Sequence, residues 1–186
     1  GEDRVKSILS DFSCPMNEDV QYFLKFTAIE FAKQGLSQTF LVFASYKEKP
    51  VLVGYFTLAN KFFHITKNSL SKTLQKRISK FAEYDQNTKR YILSAPLIAQ
   101  LGKNYSNGYN KLILGEELLK MACDKITEVQ LTVGGKVAYL ECEDKPKLTE
   151  FYSRNGFVDF GKRELERDET DKLDGKYLIQ MLRYFR

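Results

Sequence analysis

At 186 residues, with 43% hydrophobic and 28% charged side chains, the chain has the size and balance of one globular domain. A domain of that length buries roughly two-thirds of the surface its unfolded chain exposes. No apolar run approaches the roughly 18 residues needed to span a bilayer and nothing at the N-terminus resembles a signal peptide, so a cytoplasmic domain over residues 1–186, away from membranes, is expected. The net charge of +5 is local: residues 61–90 hold eight basic side chains against two acidic, which leaves 21 against 22 elsewhere.

In chain order, Arg4–Phe12 reads as a first strand. Asn17 caps a helix that runs to about Lys33, with Glu18 and Asp19 suited to the positive end of its dipole and Gly35 to its stop. Val20, Phe23, Leu24, Thr27, Ala28 and Phe31 form its inward stripe. Thr39–Tyr46 and Val51–Leu58 flank Lys47–Pro50 as an antiparallel hairpin, which Lys61–Ile65 extends.

Ser69–Tyr84 reads as a helix inserted between strands, the insertion covering about residues 67–86. Leu70, Leu74, Ile78 and Phe81 share one side of it and Lys72, Lys76 and Lys80 another. Arg90–Leu101 is a long strand whose Pro96 calls for a bulge or an edge. Leu112–Ile126 is an amphipathic helix that buries Leu118, Leu119, Ala122 and Ile126. Val137–Cys142 is a buried strand and Pro146 opens a short helix that Gly156 stops. Phe157–Arg163 and Tyr177–Phe185 are strands around a charged, mobile loop, Glu164–Asp174.

Three cysteines, Cys14, Cys123 and Cys142, stand far apart beside a single histidine, His64. That pattern speaks against a disulfide framework and a zinc site, and for reduced buried thiols. No metal is expected.

The stretch Lys136–Phe157, strand, polar turn, short helix carrying Tyr152, then Asn155-Gly156-Phe157, resembles the second half of the acetyl-CoA site in GNAT-superfamily N-acetyltransferases. The element order is similar to theirs over nearly the whole chain. The resemblance implies an α+β fold in α/β/α layers, a central mixed sheet with helices on both faces and the basic helix as an addition.

It also implies a site. The family's pyrophosphate loop, Arg/Gln-x-x-Gly-x-Gly/Ala before a helix, falls on Asn110, Lys111, Leu112, Ile113, Leu114 and Gly115, with Glu116 next in the helix entrance. Only the last glycine is kept; Asn110 replaces Arg/Gln and Ile113 the first Gly. Free N–H groups and the helix dipole bind phosphate there. Leu101, Gly102 and Lys103 match the strand end where pantetheine pairs with the main chain, the Leu101 N–H facing the thioester oxyanion.

Tyr152 matches the general acid that protonates the CoA thiolate; packing with Leu148 and Phe151 is its structural alternative. Glu141 and Glu143 are candidates for the base that deprotonates the attacking amine, or are salt-bridged carboxylates, and His64 is a remote third. Lys145 stands where the family commonly has Asn.

Acetyl-CoA would be the cosubstrate and a primary amine the acceptor: a small molecule, a protein or an aminoacyl-tRNA. The GNAT toxins that acetylate aminoacyl-tRNA are similar in design, and Lys72, Lys76 and Lys80 would then meet phosphate. Open beside this reading are a GNAT-fold binding module that has lost catalysis, a solvated role for the lysines, and a homodimer.

Overall fold

The computed structural model describes residues 2–167, 169, 173 and 175–185. Its contacts divide the chain into two compact units, residues 1–59 with 98–125 and residues 60–97 with 126–186. Among the described residues seven strands, β1 (Gln38–Tyr46), β2 (Lys49–Thr66), β3 (Glu83–Asp85), β4 (Arg90–Lys103), β5 (Val137–Glu143), β6 (Val158–Glu164) and β7 (Tyr177–Tyr184), form a sheet in the order β1-β2-β4-β5-β7-β6, with β3 pairing β4.

The first unit opens on a helix, α1 (Glu2–Ser10), where a strand was expected. The apolar residues Ile8, Leu9 and Phe12 are spaced for one helical side; Leu9 and Phe12 are buried while Val5 is exposed. Glu2 and Asp3 suit the N-terminus, and Glu2 pairs with Lys6 one turn on and with Lys33.

The second helical run is α2 (Glu18–Tyr22), a π-turn (Phe23–Thr27) and α3 (Ala28–Lys33). Asn17 caps it as expected, its side chain accepting the Val20 N–H at 3.0 Å. At the far end, Gly35 at φ +70° lets the Gly35 and Leu36 N–H groups return to the Ala32 and Phe31 carbonyls. The π-turn corrects the expected stripe: its extra residue rotates the helix, so Val20, Leu24 and Ala28 are buried, Ile29 packs on the core and Phe31 is exposed.

β1 (Gln38–Tyr46) and the first part of β2 (Lys49–Thr66) form the expected hairpin. Its turn is Lys47-Glu48, both residues at positive φ. Val53 is a bulge between the Val42–Gly54 and Phe43–Leu52 pairs. The core of this unit gathers Leu9, Phe12, Cys14, Val20, Leu24, Ala28, Leu52 and Tyr55.

In the second unit the insertion differs from its expected form. The helix is only α4 (Lys72–Ile78), capped by Ser71, and Glu83–Asp85 is a strand, β3, pairing with the start of β4 (Arg90–Lys103). Cross-strand Tyr84 and Tyr91 rings 5.1 Å apart favour the hairpin over more helix. Asp85 closes its turn by accepting from Asn87 N–H and Thr88 Oγ1. Leu70 and Ile78 enter a core with Phe63, Ile65, Leu93, Ala95, Val137, Tyr139, Phe160 and Leu182.

Along β4 the buried positions are Leu93 and Ala95, then Ile98 and Gly102. The alternation changes phase across Pro96, as a bulge makes it do. Leu118, Leu119, Ala122 and Ile126 of α5 (Gly115–Val133) are buried as expected. The helix runs a further two turns, with buried Gln130 donating to the Val137 carbonyl.

β5 (Val137–Glu143), α6 (Pro146–Arg154), β6 (Val158–Glu164) and β7 (Tyr177–Tyr184) complete the chain. β7 runs antiparallel to β5 and β6. The expected charged loop, Glu164–Asp174, lies partly outside the described residues.

Candidate active site

The candidate residues fall in both units. In the first, β4 ends at Leu101, Gly102 and Lys103. A Cβ on Gly102 would stand 2.4 Å from Val20 Cγ1, so only glycine fits. Gly54 meets the Gly102 carbonyl with equal economy: its Cβ would lie 2.9 Å from that oxygen.

Beyond Gly102 the chain is tied down. Lys103 Nζ donates to the Ile113 carbonyl at 2.9 Å, closing the loop between them. Asn104, 2% exposed, accepts from the Ser13 and Ser106 N–H groups and donates to the Leu52 carbonyl. Every polar atom of that side chain is satisfied, which removes the penalty of burying an amide. A 3-10 segment (Ser106–Leu112) follows, reversing at Asn107 and Gly108, both at positive φ.

Asn110 is half-buried and Lys111 exposed. Ile113 is extended and its side chain buried, whereas Leu114 is 62% exposed. α5 begins at Gly115 with Glu116 and Glu117 in its first turn. Glu117 turns back, its carboxylate accepting the Leu114 N–H at 2.7 Å. This is the helix-side half of a capping box, and it fills the Leu114 donor with a carboxylate.

In the second unit, Tyr152 is held by the end of α6. Gly156 at φ +83° sends its N–H to the Ser153 carbonyl at 3.0 Å, and Phe157 N–H reaches the Tyr152 carbonyl at 3.1 Å. The Phe157 and Tyr152 rings meet edge-on at 6.0 Å, the apolar contact that accompanies this cap. Asn-Gly-Phe therefore fixes both the backbone and the ring of Tyr152. Phe151 packs on its other side at 5.0 Å.

Tyr152 is buried, and burial pushes its hydroxyl above the ordinary tyrosine range. No described residue hydrogen-bonds that hydroxyl. It is a protonated donor at neutral pH without a protein acceptor. The Cys142 thiol is pushed up to about 12, by burial first and then by Asp159, Asp144 and Glu143. A thiol so raised is a poor nucleophile.

Glu141 accepts from Arg163 Nε and Nη2, the shortest bond 2.8 Å, and from Gln180 Nε2 at 2.9 Å. Arg163 also holds Glu169. Glu143, 7% exposed, pairs with Lys145 Nζ at 2.8 Å. Both carboxylates thus have cation partners. His64 is exposed, and the three cysteines are buried and none is in a disulfide. Lys72, Lys76 and Lys80 are exposed, with Lys80 just past the end of α4.

The sequence reading passed over Asn104, Arg163 and Glu117. Only Glu117 carried a signal, an acidic residue three positions after a helix entry, and an apolar Leu114 at the cap position concealed it.

No protein-family model matches this sequence, and no curated protein does. Solved structures do. AtaT complexed with acetyl-methionyl-tRNAfMet is 19% identical over 92% of this chain and 85% of that one, with a TM-score of 0.60. A tyrosine-to-phenylalanine variant of KacT is 20% identical over the same shares, with a TM-score of 0.63. AtaTR bound with AcCoA is 18% identical over 92% of this chain and 84% of that one, with a TM-score of 0.57.

The fold is the GNAT acyltransferase fold. Within it, α5 follows the segment Asn110–Leu114 and α6 bears Tyr152. Among the described residues there is no cluster of metal-ligand type, and no helix is long and apolar enough to cross a membrane.

Proposed function

We propose that the chain transfers the acetyl group of acetyl-CoA to a primary amine, with Tyr152 as the general acid. The observation that carries this reading is Tyr152 itself: fixed by its cap, protonated, and without a protein acceptor for its hydroxyl.

Acetyl-CoA, when bound, supplies an activated acyl thioester. Ile113, Leu114, Gly115 and Glu116 would hold its diphosphate through main-chain N–H groups at the start of a 19-residue helix. Their fit is partial: Glu117 has to release Leu114 for a phosphate oxygen to take that N–H. Leu101 N–H would steady the developing oxyanion, with Gly102 and Lys103 beside it.

Tyr152 holds the proton that the leaving sulfur takes. A thiolate whose thiol has a pKa of about 8.5 is a weaker base than a tyrosinate whose phenol has a pKa of about 10, and burial of Tyr152 widens that gap. The same burial denies the thiolate its hydration and raises its basicity, so transfer is coupled to departure of the sulfur. Glu141 and Glu143 are the carboxylates available to relieve the amine of its proton. Glu143 pairs with Lys145 Nζ at 2.8 Å and Glu141 with Arg163 at 2.8 Å.

For the acceptor, the exposed Lys72, Lys76 and Lys80 support aminoacyl-tRNA, the class of molecule that AtaT carries in acetylated form in its complex. Calorimetric titration with acetyl-CoA, followed by an acceptor screen that includes aminoacyl-tRNA, tests the proposal. Binding with turnover is expected. Absence of binding at millimolar acetyl-CoA contradicts it and favours the binding-module reading, for which the Glu117 contact is the supporting observation.

A further inference from the structure

Glu141 and Glu143 are both occupied by other groups. Glu141 accepts hydrogen bonds on both oxygens, from Arg163 and from Gln180. Glu143 is paired with Lys145. A proton arriving at either competes with a cation, and side chains only 10% and 8% exposed leave water little part in the exchange.

The first unit holds a third carboxylate in a different setting. Asp19 lies in the first turn of α2, half-buried, and its Oδ2 accepts from Gln100 Nε2 at 2.9 Å. No described cation pairs with it, and no described group donates to its Oδ1. Its exposed neighbour Glu18 suits the helix dipole by itself.

Two contacts place this carboxylate along β4. Asp19 touches Gln100, and the next residue, Val20, meets Gly102 so closely that a Cβ there would lie 2.4 Å from Val20 Cγ1. Gln100 and Gly102 share one face of the strand and flank Leu101. Asp19 is therefore tied to β4 one residue from the N–H proposed for the thioester oxyanion.

We propose that Asp19 is the general base of the acetyl transfer, with Gln100 as the residue that aims it. The inference rests on the acetyltransferase reading above. The amine nitrogen bonds to the acetyl carbon as the carbon–sulfur bond breaks. The proton shed by nitrogen passes to Asp19, the thiolate takes one from Tyr152, and solvent returns both groups to their starting states. A neutral amide donor fixes the carboxylate in one orientation without cancelling its charge, and leaves Oδ1 open to the amine.

Turnover of acetyl-CoA with aminoacyl-tRNA, a lysine-bearing peptide and spermidine as acceptors tests this, beside calorimetry with acetyl-CoA. Asp19→Asn still pairs with Gln100 but accepts no proton. The expected result is a fall of about 10²–10⁴ in kcat, with acetyl-CoA affinity and Tm near the parent values. Asp19→Glu, which keeps a carboxylate, recovers part of the loss. Gln100→Met breaks the tie and keeps the carboxylate, so it loses less turnover than Asp19→Asn; a purely structural contact gives the opposite order. A parent that acetylates none of the three acceptors overturns this assignment together with the proposed function. A parent that turns over and is matched by Asp19→Asn overturns the assignment alone, as does the opposite order of the two variants.

Discussion

Gly102→Ala isolates one contact that fixes the end of β4, where the candidate cofactor residues Leu101, Gly102 and Lys103 lie. The added Cβ would lie 2.4 Å from Val20 Cγ1, 3.4 Å from Tyr55 Cε1 and 3.5 Å from Phe12 Cζ. The last two distances are ordinary, and the first is more than an ångström too short. Val20 has little room to yield. Its N–H is bound by Asn17, its carbonyl accepts the Tyr55 hydroxyl at 2.5 Å, and its side chain is stiff at χ1.

Relief requires an off-rotamer valine or a displaced α2, and overpacking of this kind costs about 1–3 kcal/mol. For a chain of this length, about 2 kcal/mol lowers Tm by roughly 4–8 °C. Urea unfolding of the single variants and the pair measures it. Val20→Ala removes the offending methyl, so the double variant should lose less than the sum of the singles. Additive losses, or a Gly102→Ala protein as stable as the parent, would refute the steric argument.

Gly156→Ala forces a side chain into a left-handed position at φ +83°, a cost of about 1–2 kcal/mol. It loosens the cap that aims Tyr152, so turnover should fall more than acetyl-CoA affinity; steady-state kinetics beside calorimetry separate the two. Lys72, Lys76 and Lys80→Glu together should abolish retention of the protein by tRNA at low salt; retention that persists removes these lysines from the contact. Because the folded-state Cys142 pKa is raised to about 12, the protonated thiol stabilises the fold fully below its unfolded value. That contribution is lost as pH rises toward 12. Alkaline unfolding of Cys142→Ala should accordingly show a shallower pH slope, by about one proton. An unchanged slope refutes the assignment.

The placement of Tyr152 on α6 was legible because its geometry is local: Pro146, Gly156 and Phe157 specify the start, the stop and the packing of α6 within twelve residues. The candidate loop before α5 was legible only in position. Ile113 replaces the first glycine of the family's loop, yet its side chain is buried and Leu114 is the exposed one. That choice depends on Lys103 reaching the Ile113 carbonyl ten residues away. α1 was misread because strand and helix patterns overlap over a short apolar run, and the deciding partner, Lys33, is distant in sequence. The β3–β4 hairpin was hidden in the same way, since Tyr84 acquires its preference for extension from Tyr91.

The central claim is that Tyr152 supplies the proton to the leaving sulfur, and the most direct measurement is acetyl-CoA turnover by Tyr152→Phe with affinity determined in parallel. The phenyl ring preserves the packing on Phe151 and Phe157 and removes only the hydroxyl. Turnover should fall by about 10²–10⁴ while acetyl-CoA affinity stays nearly unchanged. Equal turnover by the two proteins would contradict it.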